Sequence, residues 1–499
     1  MAEDIEARFE RYCEVMVEAL AHADRRQPAC WYLKGLVLPG GRKSVEPMAA
    51  RVHAQDVRSA HQSMHHLVAD ADWSDAVLLS AVAEQVLPAL TKGEAPCLWI
   101  VDDTGMPKKG EHSVGVARQY CGQLGKTENC QVAMSLSLGT ERGSLPLGYR
   151  LYLPREWAAD QARRDRAKIP PEIGFATKGE MALGEIEAAL AAGRPRGVVL
   201  ADAAYGDEAA FRDRLTELGL SYAVGVRPGT AVWWGEHQPA TPPAPRGHGR
   251  PRTRLVRDPA HPPLSVLELA QELPENSFRK VTWREGVAGK LASRFARVRV
   301  MAAHGDKPRR EEWLLIEWPR EEAEPTRYWL ATLPADTSFK RLVATVKDRW
   351  MIERDYLELK QEVGLGHFEG RGWRGFHHHA SLCIAAYGFL MLERLRSIGK
   401  KNPARFKEPP VPKGFRPRGA PTDAAPRPVV HRHHALSPGP RHRPHAASMP
   451  LLRTSPYRSG NVFFNTVELK IILFGAMVPS RTLGGRQAAQ QSKTCRRQH

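Results

Sequence analysis

The sequence predicts an α/β protein in which a mixed sheet is layered with helices and a helical segment precedes it. Three observations carry this expectation. Phe9, Tyr12, Val15, Met16 and Leu20 recur at helical spacing near the start, and a second helical stretch runs from Ser74 to Leu90. Two short apolar runs of buried-strand type, CLWIV at 97–101 and GVVLA at 197–201, each lead into an aspartate, Asp102 and Asp202. Further strand and helix patterns are mixed in an order that suits a layered α/β domain.

Taken in order, residues 1–92 read as a helical N-terminal domain, and strand candidates follow at Gln131–Leu138 and Leu147–Leu153. A helix is expected over Gly179–Ala191, another over Asp207–Leu218, and a strand over Tyr222–Val226. Residues 229–337 change texture. They open with the loop QPATPPAPRGHGRPRTR and continue with strand-like runs at Phe295–Met301, Trp313–Trp318 and Tyr328–Leu333, a β-rich insertion. One helix is expected from Ser338 to Val363 and another from Ala380 to Arg396. From 401 to 499 apolar periodicity is lost: twelve prolines fall between 401 and 450, among repeated Arg and His. That tail reads as disordered, or as the product of a frameshift or readthrough.

A chain of 499 residues exceeds what one hydrophobic core usually serves. Its seven cysteines are scattered, with no C-x-x-C pair, which argues against a disulfide framework or a zinc finger and for a reducing cytoplasm. The acidic, amphipathic start has none of the marks of a secretory signal, and no apolar stretch is long enough for a membrane span. A soluble protein is expected, with no membrane partner. The net charge of +18 is uneven: residues 401–499 hold 18 Lys plus Arg against 3 acidic side chains, leaving 55 against 52 for the remainder. Global charge is therefore a poor guide to nucleic-acid binding here, and the argument passes to the site.

Cutting or joining a phosphodiester needs an acidified nucleophilic oxygen and a stabilised leaving oxygen, which two divalent ions can supply. Such ions prefer carboxylate oxygens. If the strands that precede them are neighbours, Asp102 and Asp202 project from one sheet edge. A third carboxylate is available on the helix around Trp350, where Arg349, Glu353, Tyr356 and Lys360 share a face.

The segments VDDTGMPKKGEHSVGVARQYCGQLGKTENCQVAMSL (101–136), RLYLPREWAAD (150–160), VVLADAAYGD (198–207) and the stretch from YWLATLP through RWMIERDYLELKQEVGLGHFEGRGWRGFHHH (328–379) resemble DDE transposases of the insertion sequence 701 family. That family is related to the insertion sequence 4 group, and the similarity extends with lower specificity over most of residues 1–397. The resemblance implies an RNase-H-like catalytic core, residues 93–228 and 338–400, interrupted by the β-rich insertion at 229–337. Its D-[DE]-T-G motif puts the first metal-binding carboxylate on Asp102, with neighbouring Asp103 the second choice, and its A-D-x-x-Y-G motif puts the next on Asp202, beside Tyr205 and Gly206. The related group's Y-x2-R-x3-E-x6-K signature maps onto Arg349, Glu353 and Lys360, with Val346 in the tyrosine position.

The resemblance further implies two Mg²⁺ ions, with Mn²⁺ able to substitute, held by Asp102, Asp202 and Glu353. Arg349 and Lys360 would neutralise phosphate charge. From the residues themselves, Lys108, Lys109, Arg118 and Lys126 are placed to grip phosphates close to Asp102, although a solvated loop would carry the same charges. Double-stranded DNA, as element ends and target, is the implied partner, and a dimer or larger assembly forms on it in a bacterial, nucleoid-associated setting. Two other functions fit the same residues: a catalytically defective copy that occupies element ends as a repressor, and a stand-alone nuclease.

Other features read more plainly. Gly125-Lys126-Thr127 ends like a phosphate-binding loop, but Tyr120 stands where that motif needs glycine, so no nucleotide cofactor is expected. His377, His378 and His379 lack partners at zinc spacing and suggest a DNA-contacting or helix-start role. Trp329 and Trp373 suit buried packing better than stacking on an extruded base.

Overall fold

The helical periodicity of the first ninety residues becomes α1 (Ile5–Glu18), α2 (Arg26–Val37), α3 (Val45–Val52), α4 (Val57–Ala69) and α5 (Asp75–Leu90). The structure is a computed structural model that describes residues 4–93, 96–235, 262–286, 289–304 and 309–399; the expected tail at 401–499 and residues 236–261, where a loop is expected, lie outside the described residues. Phe9, Tyr12, Met16 and Leu20 all turn into the core. Ser74 caps α5, its hydroxyl accepting from the Val77 backbone N–H at 3.3 Å, which satisfies one of the donors that a helix start leaves open.

The sheet begins with β1 (Cys97–Pro107), β2 (Ala117–Cys121), β3 (Lys126–Thr140) and β4 (Gly143–Leu151), an antiparallel set in which β3 pairs with each of the others. After α6 (Arg155–Ala159), α7 (Gln161–Ala167) and α8 (Lys178–Ala191), β5 (Gly197–Ala201) returns parallel to β1. Then α9 (Ala203–Gly206) and α10 (Ala209–Glu217) lead to β6 (Tyr222–Val226), parallel to β5. The helical crossovers follow from parallel pairing, which a tight turn cannot connect.

The β-rich stretch supplies β7 (Ala231–Trp234), β8 (Leu264–Ser265), α11 (Val266–Glu272), β9 (Arg279–Gly286), β10 (Gly289–Ala302), β11 (Glu312–Glu317) and β12 (Arg327–Ala331). These strands do not form a layer of their own. β12 pairs antiparallel with β6, and the sheet runs β2-β3-β1-β5-β6-β12-β11-β10-β7-β8, with β4 on β3 and β9 on β10. The pairing covers the edge that β6 would otherwise leave open. The expected mixed α/β architecture is present, as one large mixed sheet with helices.

The helix expected over Ser338–Val363 is instead α12 (Phe339–Lys347), α13 (Trp350–Leu357) and a π-helical turn at Glu358–Val363. The break falls at Asp348–Arg349. Before it, Lys347 is mostly buried among aromatic rings, 4.7 Å from the Trp283 ring, with its ammonium 2.6 Å from Glu317. Arg349, two residues on, turns toward β1.

The last described helix, α14 (Trp373–Gly399), starts earlier than expected and packs against α2, α5 and β4. Its surroundings correct the reading of the histidine run. His377 Nε2 accepts from the Leu151 backbone N–H at 3.3 Å, His378 stacks on Trp73 with centroids 3.6 Å apart, and His379 hydrogen-bonds the Tyr32 hydroxyl at 2.8 Å. All three are buried and serve packing, not DNA, because protein encloses this helix on every side there. Trp329 is likewise buried, and Trp373 packs 4.4 Å from the His377 ring. Among the described residues no helix is long and apolar enough to cross a membrane.

Candidate active site

Asp102 does not end its strand, as the apolar run alone suggested. β1 continues to Pro107 because β3 pairs with it all along 98–107, whereas its parallel neighbour β5 stops at Ala201. The parallel register joins Leu98 to Val198 and Ile100 to Leu200, so two residues further on Asp102 lies beside Asp202, where the pairing opens. Strand alternation separates Asp102 from Asp103. Asp102 Oδ2 accepts from Arg349 Nη1 at 2.8 Å, while Asp103 Oδ2 is taken by Lys178 Nζ at 2.5 Å.

Asp202 caps the short α9, accepting from the Ala204 backbone N–H at 2.9 Å. The glycine of the A-D-x-x-Y-G segment has a packing reason: a Cβ on Gly206 would stand 1.9 Å from the Gly225 carbonyl oxygen on β6. Gly225 is glycine for the reciprocal reason, with Ala203 N 3.0 Å from where its own Cβ would sit. This close approach of α9 to β6 holds Asp202 at the sheet end. Gly225 was not singled out from the sequence, where a glycine within an apolar strand was the available signal.

Glu353 lies one helical turn beyond Arg349, its carboxylate 3.8 Å from that guanidinium and its side chain 68% exposed. Arg349 thus interacts with Asp102, Asp202 and Glu353 together; burial opposes its charge, but the three carboxylates outweigh burial and raise its pKa. Asp102 is pushed up to about 7, by burial first and then by Asp202 and Asp103, with Arg349 pulling the other way. Among the described residues, no three acidic, histidine or cysteine side chains converge closely enough to hold a metal. The guanidinium stands where the carboxylates of Asp102, Asp202 and Glu353 would meet.

The donor chemistry still suits a hard divalent cation, since all three are oxygen ligands. Tyr205 adds an observation of the same kind: its hydroxyl is buried with no hydrogen-bond partner, and Asp102, Asp103 and Asp202 bear on it electrostatically.

The profile of the family described as DDE superfamily endonuclease matches residues 15–290, more than half of the chain. The chain belongs to that family. The matched stretch carries Asp102 and Asp202 and ends before Glu353. A curated protein of Microchaete diplosiphon, described as a probable transposase for insertion sequence element IS701, is 36% identical over 168 residues, 33% of this chain. The chain spans 40% of that relative's length.

Other charges of this DDE-family chain lie close to the same strand. Lys360 Nζ donates to the Gly105 carbonyl at 2.8 Å and to Gln123 Oε1 at 3.2 Å, and burial lowers its pKa to about 8. Tyr356, on the shared face, hydrogen-bonds Ser135 at 2.7 Å within the core, and Val346 is buried, so neither offers a free hydroxyl. Lys108 donates to the Phe368 carbonyl at 2.8 Å, and burial lowers its pKa as well. Lys109 is exposed. Both lysines line a cleft of about 600 Å³ with Arg42, His367 and Glu369, at the far end of β1 from Cys97. Lys178, the partner of Asp103, was missed in the sequence because it lies 75 residues away on another element.

Proposed function

We propose that this chain is an insertion-sequence transposase, which cuts DNA at element ends and joins the cut strand to a target. The observation that carries the proposal is the placement of Asp102 beside Asp202 at the opening of two parallel strands, with Arg349 linking both to Glu353. The topology supports an RNase-H-like core: three antiparallel strands, β1, β3 and β4, followed by two parallel ones, β5 and β6, across helical crossovers. The N-terminal helices are read as a DNA-binding region and the strands from β7 to β12 as an insertion into the core.

On this reading Asp102, Asp202 and Glu353 are the residues that would hold two Mg²⁺ ions. Bound there, the ions supply Lewis acidity to the attacking and leaving oxygens. Asp102 is the first ligand in preference to Asp103, which Lys178 already neutralises. Lys360, Lys108 and Lys109 would orient and neutralise phosphates, and Arg349 would pass from Asp102 to the DNA backbone once the carboxylates are otherwise engaged. Water attacks phosphorus at the element end, forming one P–O bond and breaking the bond to the 3′-oxygen. The 3′-hydroxyl so released attacks a target phosphodiester, forming a new P–O bond and expelling the target's own 3′-oxygen. Cutting two ends together calls for a dimer or larger assembly on DNA, in a bacterial, nucleoid-associated setting.

The test is Mg²⁺-dependent cleavage of a labelled duplex carrying the element's own end, by the protein and by its Glu353→Gln variant. Cleavage lost in the variant alone supports the site, and transfer of the cut strand to a second duplex supports transposition over plain nuclease action. Equal cleavage by both removes Glu353 from the site. Specific end binding without cleavage by either protein points to a repressor.

A further inference from the structure

Tyr120 lies on the solvent side of β2 with 64% of its surface exposed, the sole exposed tyrosine among those described. Three of the five large hydrophobic side chains exposed among the described residues are Tyr120, Leu124 at 42% and Leu357 at 45%. Tyr120 and Leu124 belong to one hairpin, between β2 and β3. Gln123, between Tyr120 and Leu124, accepts from Lys360, and Leu357 is one helical turn after Glu353 on the outer side of α13.

The hairpin that carries Tyr120 is fixed to the catalytic strand from two sides. A Cβ on Gly105 would meet Cys121 Sγ at 2.7 Å, so β2 leans directly on β1, and Cys121 packs with Cys130 and Val132 beneath. On the other side Lys360 Nζ bonds both the Gly105 carbonyl and Gln123. Gly105 is three residues from Asp102, about 10 Å along an extended strand. The hairpin that carries the ring is therefore anchored to β1 at a point within that distance of Asp102 along the strand. Cys121 faces inward and Tyr120 outward by strand alternation, and the exposed Arg118 shares the outward face.

An apolar ring and Leu124 on a hairpin that also carries Arg118 and Lys126 and is tied to Lys360 suit a ligand with flat apolar faces on an anionic backbone. Lys126 is itself shared with Glu128 at 3.0 Å. We propose that Tyr120, backed by Leu124, is a stacking platform for an unpaired DNA base beside the cut strand. The proposal rests on the DNA-cutting reading above. Stacking needs the ring and not the hydroxyl, and it tolerates sequence because every base has a π-face.

The experiment compares a blunt synthetic duplex with the same duplex bearing a short single-stranded overhang that contains 2-aminopurine. Calcium is present in both to permit binding, and the protein is the full chain. The expected result is 2-aminopurine quenching and tighter binding of the overhang by the unmodified protein and by Tyr120→Phe. Tyr120→Ala should lose the quenching and about 5- to 150-fold of the preference, the range for one base on one aromatic ring, while its thermal melt is unchanged because the side chain is exposed. Arg118→Ala should weaken blunt and overhang duplexes alike. Retained quenching and preference in Tyr120→Ala, or equal binding of both duplexes by the unmodified protein, overturns the platform and leaves the cutting reading intact if cleavage persists. A change of oligomeric state in Tyr120→Ala without DNA would make this a protein contact and overturn the proposal. Failure to bind either duplex overturns both readings.

Discussion

Replacing Asp102 with asparagine is expected to stabilise the metal-free protein at neutral and alkaline pH while abolishing the cleavage proposed above. Burial, with Asp202 and Asp103 adding, holds the Asp102 carboxyl at about 7, against about 3.9 for an unfolded chain. The folded state therefore binds a proton that the unfolded state has released, and ionising Asp102 works against the fold. The stability associated with the protonated form is complete below about pH 4, falls as pH rises, and is fully lost above about pH 7, a loss of about 4 kcal/mol. Asparagine cannot ionise, so Asp102→Asn escapes it. The substitution also weakens the 2.8 Å bond to Arg349, but that guanidinium keeps Asp202 and Glu353 as neighbours. The value of about 7 already includes the pull of Arg349, so the expected gain stays at about 4 kcal/mol at about pH 8. The assay is urea denaturation in chelator from about pH 4 to pH 8, following the difference between the two proteins. A difference that does not grow with pH, or a variant less stable than the parent throughout, would refute the reasoning.

Other expectations follow from the same geometry. If the proposed site holds Mg²⁺, its uptake below about pH 7 should release a proton from Asp102 and weaken about tenfold per pH unit as pH falls; calorimetry in buffers of different ionisation enthalpy measures the release, and pH-independent affinity between about pH 5 and 7 contradicts it. Gly206→Ala should cost about 1–3 kcal/mol by overpacking, since its Cβ would lie 1.9 Å from the Gly225 carbonyl. It should also impair cleavage through Asp202, and a parent-like melt with full activity would argue against the packing role. Lys347→Met should destabilise by about 3–5 kcal/mol, because Glu317 stays buried without its cation. Adding Glu317→Gln should recover much of that in a double-mutant cycle, and strictly additive losses would show that the two charges do not depend on each other.

Much of the architecture was legible as local pattern. The strand over Tyr222–Val226 coincides with β6, and the helical stretch expected from Ser74 to Leu90 is α5. Those elements have sharp signals, an apolar run bounded by breakers or a capping residue before a periodic stretch. The β2 strand was not anticipated: its alternation is broken by Arg118 and Gln119, and its pairing with β3 reflects register rather than propensity. The break between α12 and α13 was equally hidden, because neither glycine nor proline marks it in the segment. The histidine run misled because burial on three successive helical positions requires an enclosed helix, which is a property of the neighbours and not of the segment.

The sequence by itself determined which side chains are available for chemistry: two aspartates after buried-type strands, a glutamate between Arg349 and Lys360, and glycines where backbones must touch. Those are choices of residue type at short range, and motif spacing expresses them. Only the tertiary structure decided which of them meet. Asp102 and Asp202 are neighbours because β5 pairs parallel to β1 in one register, and Arg349 joins them because α13 docks against β1. Parallel pairing and helix docking bring together residues a hundred or more positions apart. Their energy lies in burial and register across the whole sheet, which no local window of the chain contains.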